Sequence, residues 1–135
     1  MFSGLLLSAL VFTHGIASGD TRPDSAVLWT RVDRAAELTV EVSTDPLFQR
    51  VGLSRIVPAS GETDFTVKVV IEPLEPGQTY FYRWRGEGVS SETGSFRTAP
   101  RPDAAAGVRF AFSGDSDGSF AGGAPAYNHF RHLKK

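Results

Sequence analysis

Residues 72–85 read EPLEPGQTYFYRWR, and this stretch decides the fold that the sequence predicts. In its second half, aromatic side chains recur at every second position, at Tyr80, Tyr82 and Trp84. A repeat of two residues places these side chains on one face of a β-strand, because successive residues of a strand point to opposite sides. Aromatic residues also favour the pleated surface of a sheet over a helix. We therefore predict a strand with one buried aromatic face.

A turn immediately before this strand indicates its place in a larger fold. Pro76-Gly77 favours a turn, Leu74 lies two residues before the proline, and Tyr80 follows the glycine by three residues. The order Leu-x-Pro-Gly-x-x-Tyr resembles the tyrosine corner of immunoglobulin-like and fibronectin type III sandwiches, in which the tyrosine hydroxyl bonds to backbone upstream. The alternative is a plain hairpin with an incidental tyrosine. We predict the all-β, antiparallel β-sandwich.

The remaining sequence up to Thr98 predicts the other strands of this domain. Apolar residues alternate or cluster in short runs between turn signals, at residues 25–32, 38–43, 51–57, 65–71 and 93–98. About seven short strands without a helical period are typical of a sandwich of about 100 residues. We expect residues 51–57 near a sheet edge. We expect mostly buried side chains at Leu28, Trp29, Val40, Val42, Val67, Val69, Leu74, Tyr80, Tyr82 and Trp84.

The composition narrows the classes of function to consider. The chain has 135 residues, of which 41% are hydrophobic and 21% charged, with a formal net charge of -1. A charge so close to zero gives no reason to expect a nucleic-acid partner or an anionic membrane surface. The chain contains no cysteine, which excludes a disulfide framework and a zinc–thiolate site.

The first twelve residues form a leading apolar segment, MFSGLLLSALVF. Its apolar run, residues 5–12, is too short to span a bilayer, so we expect no membrane span. The segment has no basic n-region, and no clean small-x-small cleavage site follows it, so there is no clear signal peptide. It is either a decayed signal segment or a leading peptide that is weakly ordered on the domain.

The composition changes at Ala99, where we place the domain boundary. Residues 99–107, APRPDAAAG, are typical of a linker that the prolines stiffen. The expected organisation is therefore a leading segment at 1–12, the sandwich at 13–98, this linker, and the start of a second domain at 108–135. Residues 108–112, VRFAF, predict a short strand, and apolar residues at helical spacing near the C-terminus predict a helix. Strand, glycine-rich loop and helix are how an α/β domain begins.

Two carboxylates, Asp115 and Asp117, follow the predicted strand at 108–112 directly. Ligands of open α/β sheets bind at this end of the strands, and carboxylates are suitable ligands for Fe, Mn, Ca or Mg. By itself, however, an Asp-Ser-Asp-Gly loop is more often a turn or a helix cap than a metal site.

Several motifs resemble those of one family, the PhoD-family alkaline phosphatases and phosphodiesterases. HGIASGD at residues 14–20 and PDSAVLWTR at 23–31 are similar to its N-terminal signature, and the likeness continues in FRTAP at 96–100 and VRFAF at 108–112. The resemblance implies a fibronectin-like N-terminal domain before a calcineurin-like metallophosphoesterase domain. It also implies a periplasmic or extracellular location, since proteins of this family are typically exported.

The resemblance implies a role for the two aspartates. Asp115 falls where the family's first metal ligand lies, although some members have Ser-Cys where this chain has Gly-Asp. Asp117 matches the second position poorly, since His or Gly is usual there. The implied cofactors of the complete enzyme are Fe, Ca, Mn or Mg, its substrate is a phosphate ester, and its partner is the missing catalytic domain. The later Gly-Asp and Gly-Asn-His motifs do not occur before the chain ends. We therefore expect no catalytic residue, no tightly bound metal and no activity in this chain alone.

Histidines and arginines offer further candidates for chemistry. His14 belongs to the signature, and we interpret it as structural and hydrogen-bonded near the first strand rather than catalytic. His129 and His132 lie three residues apart on the predicted helix, but the family's histidine ligands come from later loops. Arg83 and Arg85 flank the aromatic strand, and we expect them to cover its polar face rather than to bind phosphate.

Two classes of function remain open from the sequence. The chain is either the N-terminal portion of a metal-dependent phosphatase or a stand-alone fibronectin-like binding or scaffold module. The segment after residue 107 favours the enzyme, because an independent module has no use for a new strand and an acidic loop.

Overall fold

A computed structural model describes residues 8–107 and 109–112 of the chain. The chain divides into two units, Met1–Ala104 and Ala105–Lys135. The described residues of the first unit form a β-sandwich. In the second unit, residues 109–112 form no strand, and Phe110 and Phe112 are exposed. The strand expected at 108–112 is therefore not formed in its described part, residues 109–112, with which none of the described strands pairs.

The described residues contain eight strands in two antiparallel sheets. The three-stranded sheet, called sheet A below, has the order β1-β2-β5. Sheet B has the order β4-β3-β6-β7, and β8 also pairs with β6. The bounds are β1 Phe12–Gly19, β2 Ala26–Val32, β3 Ala36–Ser43, β4 Leu53–Ala59, β5 Thr66–Ile71, β6 Thr79–Gly86, β7 Val89–Ser90 and β8 Gly94–Arg97, with a short 3-10 turn at Gly61–Thr63. This arrangement confirms the predicted fibronectin type III-like sandwich, including an edge position for β4.

The core lies between the inner faces of the two sheets. On β6 the predicted aromatic face is confirmed, because Tyr80, Tyr82 and Trp84 are all buried. Phe96 of β8 packs on this face, with its ring centroid 5.6 Å from that of Tyr80 and 5.9 Å from that of Tyr82. Inward residues at every second position of β2 and β3 complete the core, as a repeat of two requires.

Two residues expected in the core, Trp29 and Val69, are only half-buried. On β2 the inner face carries Leu28 and Thr30, so Trp29 points away from the core, opposite Ala17 of β1 and Lys68 of β5. Val69 shares the inner face of β5 but packs at the margin of the core. Trp29 is therefore half-buried on the outer face of sheet A rather than packed in the core, because β2 is apolar on both faces.

The sandwich also begins earlier than the predicted Thr13. Leu10 is 2% exposed and belongs to the core. Its side chain packs over Gly86, where an added Cβ would lie 2.8 Å from Leu10 Cδ2 and 2.7 Å from Leu38 Cδ2. The backbone N–H of Val11 donates to Asp33 Oδ1 at 3.0 Å. The last residues of the supposed leading segment are therefore part of the domain.

The tyrosine corner has the predicted hydrogen bond. The backbone N–H of Glu75 donates to Tyr80 Oη at 2.9 Å. We expect Tyr80→Phe to lower the free energy of unfolding by about 1 kcal/mol, because the ring stays packed while a half-buried N–H loses its acceptor. Urea denaturation of the two proteins measures this difference, and equal midpoints would show that the hydroxyl does not stabilise the corner.

The outer face of sheet B is covered by an ion-pair cluster. Glu41 accepts hydrogen bonds from Arg83 Nε at 2.7 Å and from Arg85 Nη1 at 3.3 Å. The Arg83 guanidinium also lies 4.2 Å from the ring centroid of Phe48. The two arginines thus cover the polar face of β6, as predicted. Burial of the Glu41 carboxyl acts to raise its pKa, but the hydrogen bonds and charges of the arginines outweigh this effect and lower the pKa below 4.5.

This lowered pKa makes part of the stability dependent on pH. A carboxyl whose pKa is depressed in the folded state stabilises the fold above its unfolded pKa and loses that contribution as the pH falls through the folded value. At pH 7 we expect Glu41→Gln to lower the free energy of unfolding by about 1 kcal/mol. The difference in free energy of unfolding between the unchanged protein and Glu41→Gln should become smaller below the ordinary glutamate pKa of 4.5. Urea titrations at neutral and acid pH test this, with Glu62→Gln as an exposed control; a gap that is constant with pH would refute it.

Candidate functional site

The predicted metal ligands and the C-terminal histidines lie outside the described residues. They are Asp115, Asp117, His129 and His132. Within residues 8–107 and 109–112, no group of three or more His, Asp or Glu side chains could hold a metal ion. A dinuclear centre needs several such ligands. The described part of the chain therefore contains no such set of ligands. Among the described residues there is also no helical segment with the length and hydrophobicity of a membrane span.

His14 lies in a polar cluster at one end of sheet A. Its Nδ1 is 2.9 Å from Thr13 Oγ1, which also accepts a hydrogen bond from Arg31 Nη1 at 2.9 Å. Arg31 in turn donates to both carboxylate oxygens of Asp64, at 3.1 and 2.9 Å. These hydrogen bonds lower the pKa of Asp64 and raise that of Arg31. His14 is exposed and has the hydrogen bond expected near the first strand.

The two signature motifs pair with each other in sheet A. HGIASGD forms most of β1, SAVLWTR forms most of β2, and the strands are antiparallel neighbours. Gly15 has a φ of 69° and lies in a register shift between Phe12 and Ile16, a backbone conformation that favours glycine. Its carbonyl accepts a hydrogen bond from Thr30 Oγ1 at 2.9 Å. The glycine bulge thus satisfies a hydroxyl that is completely buried in the core.

The chain leaves the sandwich through a hydrogen-bonded junction that we call the exit corner. It consists of the loop 20–25, the turn 74–78 and residues 97–99. The backbone N–H of Ala99 donates to the carbonyl of Arg22 at 3.1 Å, and the Ala99 carbonyl accepts from Gly77 N–H at 3.0 Å. The N–H of Leu74 donates to the carbonyl of Asp24 at 2.8 Å. Residues far apart in sequence are thereby joined at one point.

Thr98 is the central side chain of the exit corner. It is 2% exposed, and its hydroxyl donates to the carbonyl of Glu75 at 2.6 Å and accepts from the N–H of Gln78 at 2.9 Å. Because both neighbours belong to the tyrosine corner, Thr98 ties the last strand to the turn before β6. Ala99 is therefore held by hydrogen bonds to the sandwich at the point where the chain leaves it.

An apolar patch lies on the outer face of sheet A, near the exit corner. In the register of the sheet, Trp29 lies between Ala17 and Lys68, and Val27 lies between Gly19 and Val70. We call the five apolar residues the outer patch: Ala17, Gly19, Val27, Trp29 and Val70. The end of the patch at Gly19 and Val70 adjoins the exit corner, because Gly19 precedes the loop 20–25 and β5 leads into the turn 74–78.

Sequence reasoning missed both the outer patch and the exit corner. A signal for the patch was present in Arg31, which lies two residues after Trp29 and therefore on the same face of β2. A charged residue on that face marks it as the outer one. The loop 20–25, the turn 74–78 and residues 97–99 each overlap a motif that was recognised in the sequence. Their meeting at the exit corner depends on contacts between distant residues, which a local pattern does not contain.

Comparisons with known proteins agree on one family. The profile described as "PhoD-like phosphatase, N-terminal domain" matches residues 6–100. Alkaline phosphatase D of Bacillus subtilis (strain 168) is 32% identical over 108 residues, a match that covers 72% of this chain and 18% of the relative. A solved structure described as "Structure of PhoD" has a TM-score of 0.66 at 33% identity, covering 69% of this chain and 20% of that one. The chain thus spans about a fifth of the length of these relatives.

A more distant solved structure shares the fold alone. The sensor domain of the anti-sigma factor RsgI4 from Pseudobacteroides cellulosolvens has a TM-score of 0.53 at 13% identity, covering 68% of this chain and 94% of that one. Because its identity to this chain is so low, it supports the β-sandwich and carries no functional argument.

Proposed function

Because this chain belongs to the family of PhoD-like phosphatase N-terminal domains, we propose that it is the N-terminal portion of a metal-dependent phosphatase. The complete protein would hydrolyse phosphate mono- or diesters and act in the periplasm or outside the cell. The observation that supports this role is the exit corner, where hydrogen bonds to Arg22 and Gly77 hold Ala99. The sandwich thereby presents the following polypeptide from a fixed position, as a domain that supports a catalytic neighbour must.

This proposal assigns the chemistry to residues after the sandwich. Asp115 is proposed as a metal ligand in the complete protein and Asp117 as a weaker candidate, with Fe, Ca, Mn or Mg as the metals. The described residues contain no suitable cluster of ligands, so the proposal assigns the sandwich a supporting role. The chain alone is expected to bind metal weakly and without selectivity, since water would supply most of the coordination.

A domain exchange tests the proposal. In a chimera, residues 6–135 of this chain replace the aligned N-terminal region of Bacillus subtilis alkaline phosphatase D, and the rest of that enzyme follows. We expect metal-dependent hydrolysis of a chromogenic phosphate ester, because the sandwich and the start of the catalytic domain are supplied by a family member. An inactive chimera that is folded by circular dichroism would contradict the proposal.

A second exchange provides the matched control. In a second chimera, residues 6–100 of the first chimera are replaced by the RsgI4 sensor domain, which has the same fold at 13% identity. If the role depends on family-specific residues at the exit corner, this control should lose activity or stability. Equal activity of both proteins would mean that any sandwich of this size serves as a spacer.

A further inference from the structure

The first described residues of the chain are bonded to the turn between β2 and β3. The backbone N–H of Val11 donates to Asp33 Oδ1 at 3.0 Å, and the N–H of Asp33 donates to the carbonyl of Val11 at 3.1 Å. The next residue, Phe12, pairs with Val32 at the start of β1. We call residues 8–12 the N-terminal clasp. Both backbone polar groups of its central part are therefore bonded to the sandwich.

Arg34 holds the beginning of the clasp. Its Nη2 donates to the carbonyl of Ser8 at 2.8 Å and to Glu87 Oε2 at 2.6 Å. Its Nη1 donates to Asp33 Oδ2 at 3.2 Å and to the carbonyl of Ala9 at 3.5 Å. Because Glu87 belongs to the turn between β6 and β7, this one side chain connects the clasp to two turns of the sandwich. Hydrogen bonds from a charged donor to carboxylates are among the stronger ones in proteins.

Leu10 anchors the clasp from the inside. Its side chain is 2% exposed, and its Cδ2 lies 2.8 Å from the place that a Cβ of Gly86 would occupy. Detaching the clasp would bring this apolar side chain into water and break the hydrogen bonds described above. A peptidase requires several residues of its substrate in an accessible, extended form. Cleavage inside the clasp therefore requires that the clasp first detach from the sandwich.

We propose that the N-terminal clasp sets the limit of peptidase processing at this end of the protein, so that no mature form begins within residues 9–12. Hydrolysis of a peptide bond before Ser8 leaves the contacts of Ser8, Leu10 and Val11 in place. A cut between Ser8 and Ala9 would instead place a new ammonium group beside the Arg34 guanidinium, and the two positive charges repel. This inference is independent of the proposed function, because it concerns the sandwich alone.

Limited digestion of the full chain with thermolysin tests the proposal, because this peptidase cuts before large apolar residues. The clasp offers bonds before Leu10, Val11 and Phe12, whereas Phe110 and Phe112 offer similar bonds and are 83% and 87% exposed. Mass spectrometry identifies the fragments over time. We expect cuts before Phe110 to accumulate about tenfold faster than cuts within the clasp, since cleavage follows the population of the open form. Comparable rates at the two places would overturn the proposal.

Arg34→Gln tests the contacts that hold the clasp. Cuts within the clasp should become about tenfold faster in this variant, because the clasp opens more often. Cuts before Val67, which is buried in β5, should not. Arg55→Gln is the matched control, because Arg55 also donates to a distant carbonyl, that of Glu72 at 3.2 Å, but lies on β4. An unchanged clasp rate in Arg34→Gln, or an equal increase at Val67, would overturn the proposal.

A second variant tests the apolar anchor and keeps the proposal testable if Arg34→Gln does not fold. Leu10→Ala should increase the rate of cutting before Val11 and lower the urea midpoint, because a buried side chain is lost from the core. Leu47→Ala is the control and should change neither quantity, since Leu47 is 74% exposed. If Leu10→Ala resists thermolysin within the clasp as well as the unchanged chain does, the proposal is wrong.

Discussion

Thr98→Val is expected to lower the free energy of unfolding by about 2–3 kcal/mol, although it changes only a hydroxyl to a methyl group. The Thr98 hydroxyl donates to the Glu75 carbonyl and accepts from the Gln78 N–H, and the side chain is buried. Valine leaves both backbone groups without this partner in a place that water reaches poorly, so the cost is that of unsatisfied polar groups rather than of lost packing. Chemical denaturation followed by far-UV circular dichroism measures the change.

Thr79→Val is the matched control for this substitution. Thr98 follows β8 directly and Thr79 is the first residue of β6, but Thr79 is exposed and its hydroxyl has no hydrogen-bond partner in the described part of the chain. Its replacement should change the midpoint little, because valine suits an exposed strand position as well as threonine does. Similar effects of the two substitutions would show that Thr98 does not hold the exit corner together.

Asp115→Ala is expected to reduce the metal-dependent phosphatase activity of the Bacillus subtilis chimera to background. In the proposed assignment, Asp115 supplies a ligand that positions a metal ion, and metal-assisted phosphoester hydrolysis requires the ions at a defined separation. Loss of one carboxylate ligand both weakens metal binding and misplaces the ion. Initial rates with a chromogenic phosphate ester, measured with Fe, Mn and Ca added singly and in pairs, provide the test.

Asp103→Ala is the control, because Asp103 is an exposed aspartate of the linker. The control chimera should keep the activity of the parent. Asp117→Ala should have a smaller effect than Asp115→Ala, since its match to the family pattern is poor. A fully active Asp115→Ala chimera would mean that the transfer of the family's first ligand onto this residue was wrong.

The aromatic strand and its corner could be predicted from the sequence because their signals are local. Alternating large aromatic residues define a strand and its inner face, and the spacing from Leu74 to Tyr80 defines the hydrogen bond that the structure contains. Both features depend on residues close together in the chain. The same local signal assigned Arg83 and Arg85 to the polar face correctly.

Other features could not be predicted because they depend on distant contacts. Both faces of β2 carry large apolar residues, and the charge of Arg31 is the local sign in this strand that Trp29 lies on the outer face. Leu10 is buried where Gly86, far along the chain, has no side chain to fill the space. In β1, the register shift at Gly15 interrupts the period of a strand, and no strand was predicted there. The exit corner likewise joins Arg22 to Ala99.

The most direct test of the proposed function is a phosphatase assay of the purified chain beside the chimera that contains it. We predict metal-dependent hydrolysis of phosphate esters by the chimera and none above background by the chain alone, under the same metals and pH. The reason is that, in the proposed role, the sandwich supports a catalytic domain, while its described residues supply no cluster of metal ligands. Metal-dependent turnover by the chain alone that Asp115→Ala abolishes would contradict this prediction.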